Sequence, residues 1–164
     1  MTSPVAESVS PSHEKKRIYL ETLGCSKNQV DSEIMLASLQ NQGFEMTKTP
    51  DSAEVIIVNT CAFLTEASEE SINRILELSD FKSTGNCEKL VATGCLTQRY
   101  QDNLAKQIPE LDGLLGSNGF EKIPELIHSM YEGSGNSQIS LHKKPHYKQF
   151  EEQARIQTTP HHYA

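Results

Sequence analysis

The chain has 164 residues and a formal net charge of -7, enough for one domain with a buried core and too little for two enzymatic domains. The acidic balance argues against a phosphate-dominated surface, which needs clustered Lys and Arg, so no direct nucleic-acid binding is expected of this domain. No apolar run approaches the ~20 residues that span a bilayer, and the polar start, Met1 to His13, carries no signal-peptide stretch, so a cytosolic protein is expected.

Residues 1–16 are polar and read as a disordered tail. A first strand is expected over 17–23, ending at Gly24-Cys25. A helix follows over 28–42: Val30, Ile34 and Ala37 share a face, Ser26 and Gln29 have capping-box spacing, and Gly43 stops it. Val55-Ile56-Ile57-Val58 is continuous and β-branched, the pattern of a parallel strand covered on both faces, and it runs into Asn59-Thr60-Cys61. Thr65 or Ser68 can cap a second helix whose inner face carries Ile72, Ile75 and Leu76. A third strand over 89–93 ends at Gly94-Cys95, and a helix over 97–107 stops before Pro109. A short strand at Leu114-Leu115 and a helix over 120–131 close a domain spanning 17–131. The Gly/Ser/Asn-rich and then charged stretch 132–164 reads as a linker. Strands alternating with helices imply an α/β fold, a flavodoxin-like doubly wound parallel sheet of about four to five strands.

Cys25, Cys61 and Cys95 each fall just after a strand and before a helix, in three successive βα turns. In a parallel sheet all such turns lie at one edge, where ligands usually bind. With a strand order of 2-1-3-4 the first strand is central, and Cys25 sits between Cys61 and Cys95. Helix N-termini lower thiol pKa, and soft thiolates select zinc, copper(I) or iron-sulfur clusters. From the pattern alone, the same cysteines read equally well as small core residues at strand ends, since no compact C-x-x-C spacing is present. In a reducing compartment a disulfide framework is not expected. Cys87, in a polar stretch, reads as incidental, and the histidines, most of them in the tails, read as non-ligands. The acidic run Glu66, Glu69, Glu70 reads as a favourable first helical turn.

Other uses of this architecture leave recognisable first turns. A flavodoxin cradles phosphate with a Ser/Thr/Gly-rich loop, whereas this chain has Leu23-Gly24-Cys25-Ser26-Lys27-Asn28. The acidic pair of a response regulator, the Walker pattern and a G-x-G-x-x-G after a strand are all missing.

The segments Thr22-Leu23-Gly24-Cys25-Ser26-Lys27-Asn28 with Asp31-Ser32-Glu33, Val58-Asn59-Thr60-Cys61-Ala62-Phe63 with Glu69-Glu70-Ser71-Ile72, and Thr93-Gly94-Cys95-Leu96-Thr97-Gln98-Arg99-Tyr100 together resemble the methylthiotransferase N-terminal domain. Ile108-Pro109-Glu110 and Gly116 continue the resemblance, which covers roughly residues 17–130. The G-C-S-K-N and N-T-C-x-F forms are more similar to the branch that modifies ribosomal protein S12 than to the tRNA-modifying branches. The tail 158–164 resembles that family's approach to its radical-SAM domain, whose C-x-x-x-C-x-x-C motif this chain lacks.

The resemblance implies that Cys25, Cys61 and Cys95 hold a 4Fe-4S cluster with one iron left without a protein ligand. It also implies a missing domain with a second 4Fe-4S cluster that cleaves S-adenosylmethionine. The expected substrate of the full-length enzyme is an aspartate β-carbon in ribosomal protein S12, and the fragment alone is expected to be inactive. Two alternatives stay open: the same domain of a tRNA methylthiotransferase, and a non-catalytic flavodoxin-like interaction domain with structural cysteines.

Overall fold

The computed structural model describes residues 15–117, 119–132 and the backbone of 138–140. Along the chain run β1 (Arg17–Thr22), α1 (Ser26–Asn41), β2 (Glu45–Met46), β3 (Val55–Thr60), α2 (Thr65–Ser79), the one-turn α3 (Phe81–Thr84), β4 (Lys89–Gly94), α4 (Cys95–Gln107), β5 (Gly113–Gly116), α5 (Ile123–Tyr131) and β6 (Gln138–Ser140). The readings of 1–14 as a tail and of 133–137 and 141–164 as linker lie outside the described residues.

All neighbouring strands pair in parallel, in the order β2-β1-β3-β4-β5-β6. The α/β, flavodoxin-like expectation is therefore met, with β6 added beside β5 inside the stretch read as linker. β3 shows why the sheet is covered on both sides. Every residue of it is buried, and the side chains alternate between two cores. Ile56 and Val58 join Leu90, Ala92 and Leu114 beneath α2 and α4, with Ile75, Leu78, Leu96 and Leu104. Val55 and Ile57 join Ile18, Val91 and Leu115 beneath α1 and α5, with Met35, Leu39, Ile123 and Ile127. Burying an aliphatic side chain of this size stabilises the fold by about 1.5–3 kcal/mol relative to exposure.

One expectation fails here and alters the geometry of the site. The strand at Val55–Thr60 is not the outer neighbour of β1. That place belongs to β2, a pair of residues that hydrogen-bonds beside Arg17 and Ile18. β3 lies on the other side, between β1 and β4. Cys61, not Cys25, therefore follows the middle strand of the three.

Two helix starts also differ from expectation. The Ser26–Gln29 capping box does not form: Cys25 is the N-cap, with no side-chain cap, and its carbonyl accepts from the Gln29 N–H at 3.2 Å. Neither Thr65 nor Ser68 caps α2, whose N-cap is Leu64. On α2 Ser71, Ile75 and Leu78 are buried and Ile72 packs against the core as expected, while Leu76 is 43% exposed.

Candidate metal centre at the ends of three parallel strands

β1, β3 and β4 end in register, with Thr22 beside Asn59 and Thr60 beside Gly94. This places Gly24-Cys25, Cys61 and Gly94-Cys95 at one edge of the sheet. Cys87 precedes β4 and lies at the opposite edge, buried in the apolar core beneath α2 and α4.

Two glycines let the loops touch. Gly24 has φ +91°, and a Cβ there would lie 2.5 Å from Cys61 Cβ and 2.7 Å from its Sγ. Gly94 has φ +100°, and a Cβ there would lie 2.4 Å from the Thr60 carbonyl oxygen. Any other residue would be strained at these angles and would push the thiol loops apart.

Side-chain amides then tie the loops together. Asn28 Nδ2 donates to the carbonyls of Leu23 at 2.8 Å and Thr60 at 2.9 Å. Asn59 Nδ2 donates to the Asn28 carbonyl at 2.9 Å and to Ser32 Oγ at 3.0 Å. Thr60 Oγ1 donates to the Thr93 carbonyl at 2.6 Å, which joins the second loop to the third. Cys61 is clamped from α2: its N–H donates to Ser71 Oγ at 3.1 Å, and the same hydroxyl donates to the Cys61 carbonyl at 3.0 Å. Asn28, Ser32, Asn59, Thr60 and Ser71 are all essentially buried, so each bond is made in a low-dielectric setting where its loss is costly.

Cys25 is exposed, Cys95 half-buried and Cys61 buried. Burial pushes the Cys95 thiol up, Lys27 opposes that, and Cys61, Cys25 and Asp31 add to it. The lowering expected at a helix N-terminus is thus not found at Cys95, whose thiol is raised. Lys27, in the first turn of α1, pairs with Asp31 at 2.8 Å. Burial works against the Lys27 ammonium, but Asp31, with Cys95 and Cys25, raises its pKa overall. Burial likewise raises the Asp31 carboxyl, against the pull of Lys27.

Reasoning from the sequence missed a feature beside this edge. A cavity of about 290 Å³ opens between α2 and α4, lined in part by Ala62, Phe63, Leu64, Leu96, Arg99 and Tyr100. Phe63 is 87% and Leu64 57% exposed. α4 kinks at Tyr100, and Arg99 Nη1 donates to the Ala62 carbonyl at 3.3 Å. The apolar dipeptide directly after Cys61-Ala62 was the available signal.

A family model described as "Uncharacterized protein family UPF0004" matches residues 17–116, from the start of β1 to the end of β5. The chain belongs to this family. The match takes in all three thiol loops and bears out the resemblance drawn from their motifs. The UPF0004 chain is 45% identical over 150 residues to the "Ribosomal protein uS12 methylthiotransferase RimO" of Trichlorobacter lovleyi, covering 92% of the chain and 33% of that protein. The RimO of Caldicellulosiruptor saccharolyticus is 42% identical over 148 residues, 90% of the chain and 33% of that protein. That of Clostridium perfringens is 49% identical over 120 residues, 73% of the chain and 27% of that protein. The chain thus spans about a third of the length of the curated relatives it matches. No helix among the described residues is long and apolar enough to cross a membrane.

Among the described residues, no group of three His, Cys, Asp or Glu side chains is arranged to hold a single metal ion. A four-iron cluster makes a different demand, because each iron takes its own thiolate and the ligands need not meet at one point. The donor set fits that demand. Three soft sulfur donors stand on loops that glycines hold in contact, and Thr97 Oγ1, two residues past Cys95, is buried without a hydrogen-bond partner.

Proposed function

We propose that this chain is the cluster-bearing domain of a methylthiotransferase acting on ribosomal protein S12, with Cys25, Cys61 and Cys95 as the ligands of a 4Fe-4S cluster. The observation that carries this reading is the placement of all three thiols at the ends of adjacent parallel strands, with Cys87 at the other edge. Thiolates are the ligands such clusters require. When bound, the cluster would supply one iron without a protein ligand, open to an external sulfur. The chain's own residues hold the ligands in place: Ser71 fixes the Cys61 peptide, Asn28 and Asn59 lock the first loop onto the second, and Thr60 locks the second onto the third.

S-adenosylmethionine, a second 4Fe-4S cluster and the radical chemistry that opens a C–H bond would belong to the rest of a longer protein. The relatives named as uS12 methylthiotransferases support S12 as its substrate; the carbon modified would be the β-carbon of an aspartate, and the enzyme would act in the cytoplasm. Residues 17–131 alone would not catalyse the reaction.

Anaerobic reconstitution with iron and sulfide tests the assignment. The chain should take up about four irons, each of Cys25→Ala, Cys61→Ala and Cys95→Ala should lose most of them, and Cys87→Ala should keep them. Failure to bind iron, or equal loss at Cys87, would overturn it.

A further inference from the structure

We infer that the groove between α2 and α4 is a docking site for a basic segment of an RNA-bound protein, which on the reading above is ribosomal protein S12. The partner's identity rests on that reading, and its chemistry rests on the surface itself. Among the described residues, the exposed large hydrophobic side chains are Phe63, Leu64, Tyr100 and Leu76. The first three line the groove. Leu76 stands four residues after Ile72, which lines it too, and so extends the same face of α2. Exposed apolar residues scattered singly call for no explanation, whereas a set gathered round one concavity marks a contact site. The cavity, about 290 Å³, falls at the lower end of the roughly 300–1,000 Å³ of small-molecule pockets, which suits a bulky side chain better than a cofactor.

The shoulder of the groove sets the partner's charge. Glu66 and Glu69 each follow a groove-lining residue, Thr65 and Ser68, and so stand about 100° round α2 from it, with Glu70 beside them. All three are exposed, and none is in an ion pair among the described residues. Helix electrostatics account only for Glu66, because the preference for acid fades beyond the first turn. Arg99, the charged residue of the lining, is turned to the Ala62 carbonyl, with its guanidinium 5.8 Å from the centre of the Tyr100 ring. A second copy of this chain would bring the same carboxylates and a net charge of -7 to the contact, which like-charge repulsion opposes. A protein that binds RNA phosphates must present clustered Lys and Arg. The groove begins at Ala62, directly after Cys61, so a segment seated in it lies beside the thiol edge.

Fluorescence anisotropy of dye-labelled ribosomal protein S12 with the 164-residue chain tests the inference. Binding should saturate and should weaken about tenfold in Phe63→Ala. Phe63 is 87% exposed, so its truncation should leave the melting temperature unchanged. A variant carrying Glu66→Gln, Glu69→Gln and Glu70→Gln should also bind several-fold more weakly, and its affinity should fall less steeply with salt than that of the wild type. Glu45→Gln, the same charge change on β2, should bind as the wild type does. Polylysine, basic but without an apolar anchor, should not distinguish Phe63→Ala from the wild type.

A wild-type chain that does not bind S12, or unchanged affinity in Phe63→Ala, would overturn the inference. So would a loss in Phe63→Ala that neither salt nor the three Gln substitutions reproduce, because the partner would then be apolar and not basic. Self-association of the chain that Phe63→Ala abolishes in sedimentation would give the groove to a second copy and overturn it as well. Iron uptake decides the cluster reading separately: a chain that binds S12 through the groove but takes up no iron loses the cluster and keeps the docking site.

Discussion

Cys61 and Cys87 are almost equally buried, at 7% and 6% exposure, yet their surroundings differ in kind. Cys87 lies among apolar side chains at the edge where the strands begin; its thiol is pushed up to about 11, chiefly by burial, and its Sγ reaches the Lys89 carbonyl at 3.4 Å. Cys61 lies at the edge where strands end, with both its N–H and its carbonyl held by Ser71 and Gly24 pressed against its side chain. Burial alone therefore does not separate a core thiol from a candidate ligand. What separates them is whether polar side chains are used to fix the backbone that carries the sulfur.

The sharpest way to break this comparison is Gly94→Ala. The new methyl group would meet the Thr60 carbonyl at 2.4 Å and Asn59 Oδ1 at 2.6 Å, at a φ of +100°. A loss of about 3 kcal/mol or more is expected in urea denaturation, together with loss of iron uptake. A variant of wild-type stability would show that the loops need not touch.

Asn59→Ala comes next. It removes the amide that donates to the buried Asn28 carbonyl and to Ser32 Oγ, which keeps Thr22 Oγ1 as a donor, for a cost of about 1–2 kcal/mol. The matching change at the opposite edge is Asp112→Ala, which removes the acceptor of the Leu90 N–H and the partner of Lys82. The two should lower stability comparably, but only Asn59→Ala should impair cluster loading. Equal effects on loading would erase the distinction between the edges.

The smallest effect is one of pH. A thiol whose folded pKa is raised to about 11 from 9.0 contributes stability that is complete below about pH 9 and is lost as pH rises through about 11. Urea midpoints between pH 8 and 10.5 should therefore decline less steeply in Cys87→Ala than in the wild type. In the same pH range a thiol reagent should modify exposed Cys25 first and Cys87 last.

Much of this arrangement was legible in the sequence. The β-branched run of β3 and the Gly-Cys and Thr-Cys junctions placed three cysteines at strand ends because a parallel sheet puts all such junctions on one side. β2 was not legible: Glu45 and Met46 form too short a run to show a period, and missing them shifted the strand order and put the wrong cysteine in the middle. The face of α1 was misread for another reason. Ile34 and Ala37 are buried as expected, but so are Asn28, Asp31, Ser32 and Glu33: β1 and the thiol loops offer polar partners to Asn28 and Ser32, and Lys27 pairs with Asp31. Polar burial of that kind leaves no hydrophobic period to read.

The all-parallel pairing of β1, β3 and β4 also fixes when the three cysteines can meet. Parallel neighbours are joined only through a crossover, so no two of these loops are close until the intervening helix has been laid across the sheet. Such long-range pairing forms slowly. The site is thus framed differently from that of a zinc finger, where the metal gathers an unfolded chain. Here the fold has two hydrophobic cores of its own, one on each face of the sheet whose strand ends carry the thiols.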